Sequence, residues 1–209
     1  MHYASVSFTH KNTDISVREK LSFSNIERKN EILRLISSSQ NINECMVLST
    51  CNRVEIIASV KTVEGASKHI IACMSLICGI PFEELQSRAD IYEDNGAVHH
   101  LFAVASSLDS LVIGETQIAG QLKEAYKFAR TNGKCGAKLG RAMEFAFKCA
   151  AEVRNKTEIS KNPISVSSVA VAKAKEIFGT LNGMVAVIVG AGEMAELAAK
   201  HLIASGART

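Results

Sequence analysis

Apolar and polar residues alternate from His2 to Phe8, the period of a strand with one face turned inward. After a polar interval, Ser24 or Asn25 can cap a helix running to about Ser38, with Ile26, Leu33 and Ile36 on one side. Two further strands are predicted over residues 44–49 and 54–60, separated by the polar run Ser49-Thr50-Cys51-Asn52-Arg53. A helix over residues 64–78 aligns Ile70, Ile71, Met74 and Ile77, and Gly79 with Pro81 ends it. A short strand over 89–92 completes the series. The order β-α-β-β-α-β is the split ferredoxin-like unit of α+β proteins, with the 49–53 corner joining sequential strands at one end of an antiparallel sheet.

From Asp94 onward the period becomes helical. Asp94 is expected to cap a helix bearing Val98, Leu101, Phe102 and Ala105. Residues 106–113 break the pattern and Gly114 permits a sharp turn. A helix over 115–131 spaces Ile118, Leu122, Ala125 and Ala129 on one face. Gly133 ends it, and another helix runs over 136–159 to a stop at Asn162-Pro163. Residues 165–178 form an alanine-rich amphipathic helix suited to a connector. A strand is predicted over 184–189, then Gly190-Ala191-Gly192-Glu193-Met194-Ala195, then a helix to about Ala204. Strand, G-x-G-x-x-A and helix in that order form the Rossmann dinucleotide fingerprint. Gly190 allows the turn, Gly192 lets a pyrophosphate approach the backbone, and Ala195 lets the helix close on the strand. Phosphates would sit at the helix N-terminus. One strand and one helix leave sheet edges open, so the chain is expected to be the front part of a longer enzyme. The mixed α/β organisation is thus a domain over 1–160, a linking helix over 161–182 and the start of a Rossmann-type domain over 183–209.

Composition adds limits. In 209 residues, 47% are hydrophobic and 22% charged, ordinary for a globular chain. No stretch approaches a membrane span, and the N-terminus lacks the layout of a signal peptide, so a cytoplasmic location is expected. The six cysteines are scattered with no CxxC pair, which favours free thiols in a reducing compartment and no metal site. The net charge is +3, but nine Lys or Arg against four acids lie between Glu115 and Lys156. Such a surface suits phosphate backbones, and a solvated helix face is the plainer explanation. Cys51, at a polar loop tip, has the surroundings of a nucleophile, and alternation places Arg53 on its side to favour a thiolate. The alternative for Cys51 is a small core thiol.

A nucleophilic thiol and a nicotinamide cofactor together suggest a thioester route: the thiolate takes an acyl group from an activated carboxyl, and hydride reduces the thioester to an aldehyde. Ser49-Thr50-Cys51-Asn52-Arg53-Val54-Glu55, His100-Leu101-Phe102, Leu108-Asp109-Ser110, Gly114-Glu115-Thr116-Gln117-Ile118 and Gly190-Ala191-Gly192-Glu193-Met194 resemble the glutamyl-tRNA reductase family, in the family's order and along the whole chain. The resemblance implies NADPH-dependent reduction of glutamyl-tRNA to glutamate-1-semialdehyde, the first step of tetrapyrrole synthesis. It implies Cys51 as the nucleophile and His100 as a residue important for activity. Thr50, Asn52, Arg53, Ser110, Glu115, Thr116, Gln117 and Gln121 match substrate-binding positions. Gly190, Ala191, Gly192, Glu193, Met194 and Ala195 match the NADPH loop. Gln117 and Gln121 share a helix face and can hydrogen-bond the glutamyl group, while Arg53 can grip its carboxylate with two N–H groups. His100 has two open roles, proton transfer or positioning. Implied partners are glutamyl-tRNA, an aminomutase taking the semialdehyde, and a second copy in a full-length homodimer. Ala195 and Ser107 stand where the family commonly has glycine. These residues alone are expected to acylate or hydrolyse but not to reduce. Two other readings remain: a non-catalytic glutamyl-tRNA-binding or regulatory module, and a thioester-forming dehydrogenase of another acyl donor.

Overall fold

The structure, a computed structural model, describes residues 2–160 and 165–208. Strands β1 (His2–Thr9), β2 (Ile42–Ser49), β3 (Arg53–Val60) and β4 (Asp90–Glu93) form one sheet in the order β2-β3-β1-β4. Every pairing is antiparallel, with Phe8 opposite Val54 and Ser49 opposite Val54. This is the arrangement expected of the split β-α-β-β-α-β unit. Its helices are α1 (Ile15–Leu21), α2 (Ile26–Ile36), α3 (Ala66–Cys78) and α4 (Phe82–Arg88). Asn25, not Ser24, caps α2 by accepting from the Glu27 N–H at 2.7 Å. Helix α2 buries Ile32, Leu33 and Ile36, while Ile26 in its first turn faces water. The sequence pattern overlooked α1 and α4, whose seven residues are too short to display a 3.6-residue period.

Register assigns every strand residue to a face. Ala4, Val6, Phe8, Val54, Ile56, Ala58 and Val60 share one face, are fully buried, and join α2 and α3 in the main core. The opposite face carries Ser5, Ser7, Arg53, Glu55 and Ser59 among the apolar Met46, Leu48 and Ile57. A half-buried antiparallel strand would turn such residues to water. Here they are buried too, beneath α5 (Asp94–Ala105), α6 (Gln117–Thr131) and α7 (Ala137–Lys156). Two contacts fix this second helical layer. Glu44 on β2 accepts the first backbone N–H groups of α7, from Lys138 at 3.1 Å and Leu139 at 2.7 Å. Tyr3 on β1 donates its hydroxyl to the Lys138 carbonyl.

Three local expectations need correction. Asp94 does not cap α5 from outside; it opens the helix at φ 47° and turns its carboxylate back to the Tyr3 N–H and His2 Nδ1. The predicted strand over 184–189 is reduced to one parallel bridge, Val185 with Arg208, because among the described residues Arg208 alone pairs with it across the segment, through the Ala186 N–H and the Met184 carbonyl. The long helix over 136–159 ends at Lys156, followed by a 3-10 turn, Glu158–Ser160. The expected stop at Asn162-Pro163 lies outside the described residues. Helix α8 (Val166–Phe178) starts from a capping box at Ser165 and Ser168, and packs against α9 (Glu193–Ala204). Val171, Leu181 and Ala207 form a small core there, separate from the main one. Among the described residues no helix is long and apolar enough to cross a membrane.

Candidate active site

The β2–β3 hairpin closes through four residues. The Thr50 N–H donates to the Arg53 carbonyl at 2.8 Å, and the Thr50 hydroxyl accepts from the N–H groups of Asn52 and Arg53. A threonine hydroxyl tying down the next backbone donors is a common turn device. From the other side, the His10 N–H donates to the Asn52 carbonyl at 3.1 Å. Cys51 therefore sits exposed on a turn braced at three points. Burial makes Cys45, Cys73, Cys78 and Cys135 poor nucleophiles. Burial pushes Cys45 up, Cys73 up to about 11 and Cys135 up to about 12, with the neighbouring Cys45 adding to the last two. Among the described cysteines Cys51 is the exposed one; Cys78 and Cys149 are partly covered.

Arg53 does not share the side of Cys51. Alternation ends where the strand enters the turn, and Arg53 is drawn under the hairpin with 2% of its surface exposed. Its Nη1 meets Glu55 Oε2 at 3.2 Å; its Nη2 meets Asp109 Oδ2 at 2.8 Å and the Asp109 carbonyl. The two-pronged grip foreseen for a substrate carboxylate is thus made here on the protein's own carboxylates. Glu55 is fully buried and also takes the Ser5 hydroxyl at 2.7 Å. His100 Nε2 lies 3.0 Å from Glu55 Oε1, too bent for a straight hydrogen bond, and its ring stacks on Tyr92 with centroids 4.0 Å apart. Burial alone would raise the Glu55 carboxyl; His100, Arg53 and Ser5 outweigh it and hold it below the usual carboxylate range. Asp109 follows the same logic, its burial overcome by Lys11 and Arg53. Lys11 Nζ reaches Asp109 Oδ1 at 2.5 Å. His100, Glu55, Arg53, Asp109 and Lys11 form a charge ladder running from under α5 to the surface beside the hairpin.

That ladder ties the loop over residues 106–116 to the Cys51 corner. Ser110, next to Asp109, buries a hydroxyl that has no hydrogen-bond partner among the described residues. An unpaired buried hydroxyl costs about 1–3 kcal/mol, a cost a polar ligand group can remove. Ser107 holds the loop, its hydroxyl donating to the Glu115 carbonyl at 2.6 Å while its backbone sits at φ 61°. Glu115 and Gln117 are half-buried, and Thr116 is the exposed residue preceding α6. Gln121, one turn after Gln117, walls a cleft of about 420 Å3 with Ser49, Leu48 and Lys29. The structure therefore gathers Thr50, Cys51, Asn52, Ser110 and Gln121 around one end of the sheet and buries His100 and Arg53 beneath it. The glycine loop stands apart. Gly190 has φ 131°, Gly192 precedes α9, and no side chain caps that helix. A Cβ on Gly190 would sit in ordinary contact with that of Ala195 at 3.9 Å, so it is the φ of 131° that calls for glycine there. Met194 is held to α8 by the Ser167 hydroxyl at 3.0 Å. The open helix terminus and glycine backbone fit a pyrophosphate.

Glu55, Asp109, Ser5, Tyr92 and Lys11 were not assigned roles from sequence. One signal was present: Arg53 and Glu55 are opposite charges two apart on a strand, hence on one face.

The fold and site define a class: an α+β domain presenting one exposed thiol above a buried ionic network, followed by a dinucleotide-type glycine loop. Residues 6–157 match the family described as glutamyl-tRNAGlu reductase, N-terminal domain, and residues 172–209 match shikimate / quinate 5-dehydrogenase. The chain belongs to the glutamyl-tRNA reductase family. It is 69% identical over 207 residues to glutamyl-tRNA reductase of Campylobacter concisus, and 67% identical to that of Campylobacter curvus; each match covers 99% of this chain and 48% of the relative. The solved glutamyl-tRNA reductase from Methanopyrus kandleri superposes with a TM-score of 0.65 at 30% identity, covering 99% of this chain and 48% of that one. The chain thus spans about half the length of these relatives.

Proposed function

We propose that the chain carries the acyl-accepting half of a glutamyl-tRNA reductase, an NADPH-dependent oxidoreductase that opens tetrapyrrole synthesis. The reading assigns residues 1–160 to catalysis and substrate binding, 161–182 to a link, and 183–209 to the start of the NADPH domain. The observation that carries it is the exposed Cys51 on its braced turn, to which Asp109 and Arg53 tie the loop bearing Ser110. The Cys51 thiolate attacks the ester carbon joining glutamate to the RNA ribose. The C–S bond forms, the C–O bond breaks, and the ribose oxygen leaves to take a proton. Ser110, Gln117 and Gln121 hydrogen-bond the glutamyl group, and Thr50 and Asn52 hold the turn beneath it. Glu115 and Thr116 set the start of α6. His100 acts by positioning, because it is buried, stacked on Tyr92 and occupied with Glu55. Gly190–Ala195 would hold NADPH, which when bound would supply the hydride that reduces the thioester. Cys51 would be the leaving thiolate, and the product glutamate-1-semialdehyde is a reactive aldehyde suited to direct hand-over to an aminomutase. A homodimer of the full-length protein belongs to the same reading.

Mixing the protein with glutamyl-tRNA, quenching in acid and mapping peptides by mass spectrometry tests this. A glutamyl adduct is expected on the Cys51 peptide and none in Cys51→Ser. An adduct elsewhere, or equal deacylation of the RNA by Cys51→Ser, overturns the assignment.

A further inference from the structure

Beyond the Cys51 corner, a groove made of two cation-lined clefts lies between α6 and α7. The two helices run antiparallel with small residues between them. At one end Ala119, Gly120 and Lys123 face Ala150, Ala151 and Arg154 around an open cleft of about 320 Å3. At the other, Tyr126 and Arg130 face Gly140 and Arg141 around about 770 Å3. From Ala119 to Arg130 the two clefts together span roughly 16 Å of α6 at 1.5 Å per helical residue. A side chain on Gly140 would strike the Tyr126 hydroxyl at 2.9 Å, so glycine keeps this floor low. Cations stand along both walls: Lys123 and Arg130 on α6, Arg141 and Arg154 on α7. No carboxylate among the described residues ion-pairs with Lys123, Arg130 or Arg141, although one acid, Glu144, lines the wider cleft. Phe145, 49% exposed, lies under the Arg141 guanidinium at 6.0 Å. An exposed aromatic beside arginine on a cationic track is how proteins stack bases while gripping phosphates.

One end of the groove also lies beside the loop of the candidate active site. Arg154 donates to the carbonyl of Ala105, the residue that ends α5 just before the 106–116 loop. Ile159, just past α7, is in contact with Gly114 within that loop. One mouth of the groove therefore opens at the segment that carries Ser110 and is tied to the Cys51 hairpin through Asp109 and Arg53.

We infer that the α6–α7 groove is the track that grips the phosphate backbone of the RNA whose aminoacyl end reaches Cys51. The inference rests on the proposed function, in which the acyl donor is an RNA ester. A polyanion running along the groove toward its loop end is led to the thiol, and charge complementarity selects RNA over an apolar protein segment. Lys123, Arg130 and Arg141 neutralise phosphates, and Phe145 offers a stacking surface.

The test measures binding of an uncharged glutamate tRNA transcript to the intact protein between about 50 and 200 mM salt. Lys123→Ala, Arg130→Ala and Arg141→Ala are each expected to weaken binding several-fold. The triple variant should lower the slope of log affinity against log salt by about 2–3, at roughly 0.7–0.9 per phosphate contact. Alkylation of Cys51 by iodoacetamide should keep its wild-type rate. Unchanged affinity and slope in the triple variant overturn the inference. So does a fall in thermal stability with RNA binding intact, which would make the groove a seat for another part of the protein. Lys123→Ala, a change at an exposed side chain, guards against misfolding of the triple variant. Cys51→Ala separates the two readings: it should bind the transcript normally. Failure of acyl transfer with normal salt dependence sinks the thioester alone, and the reverse result sinks the groove alone.

Discussion

Replacing Glu55 with glutamine probes the ladder at its most buried rung. The change keeps shape and one acceptor oxygen but removes the charge between Arg53 at 3.2 Å and His100 at 3.0 Å. Removing one partner of a buried ion pair costs about 3–5 kcal/mol, because the other charge stays uncompensated. Asp109 still faces Arg53 at 2.8 Å, and glutamine can still accept the Ser5 hydroxyl, so the low end applies, about 3 kcal/mol. With a urea slope of about 2–3 kcal/mol/M, the unfolding midpoint should fall by roughly 1–1.5 M at neutral pH. The pH dependence has a definite sign. The folded Glu55 carboxyl lies below its unfolded value, so its stabilisation is complete above an unfolded value of about 4.3 and is lost as pH falls through the folded one. Wild type and Glu55→Gln should therefore converge in acid, starting below about pH 4.3. A cost under about 1 kcal/mol at neutral pH, or a gap that persists in strong acid, would refute the claim that this pair anchors the site.

Gly114→Ala should destabilise the protein by about 2–4 kcal/mol, since the φ of 86° penalises any side chain and the new methyl would collide with the Ile159 carbonyl. Thermal unfolding reads this directly, and a shift near zero would mean that the 106–116 loop relaxes freely. At Ser107 two effects compete: Ser107→Ala keeps the strained φ and loses the bond to Glu115, costing about 1 kcal/mol, whereas Ser107→Gly relieves strain of similar size and should be close to neutral. Equal losses in both variants would show that the hydroxyl alone matters.

Much of this architecture was legible from residue patterns. The alternation through Val6 and Phe8, and the apolar run through Val54 and Ile56, mark strands without long-range knowledge. What the pattern could not convey was the fate of the other face. Nothing local to Ser5, Ser7 and Glu55 announces the cover of α5–α7; that cover depends on contacts such as Glu44 with the start of α7, more than ninety residues apart in sequence. The same limit explains Arg53. Its partner Asp109 lies 56 positions away, so sequence alone suggested a free guanidinium where the fold supplies two carboxylates. Cys51 was easier, because a polar run between two apolar strands marks a tip without long-range knowledge. The strand over 184–189 was over-read for the opposite reason: Val185, Val187 and Val189 carry the right residues, but a strand exists only where a neighbour accepts its backbone.

The buried serines between sheet and upper helices have a consequence for how the molecule breathes. Most layered proteins that open a layer uncover grease, which invites clumping. Here the plane beneath α5–α7 carries Ser5, Ser7, Arg53, Glu55 and Ser59 beside Met46, Leu48 and Ile57. Lifting the upper helices would therefore wet ionic groups that water can solvate while still baring an apolar strip along β2 and β3.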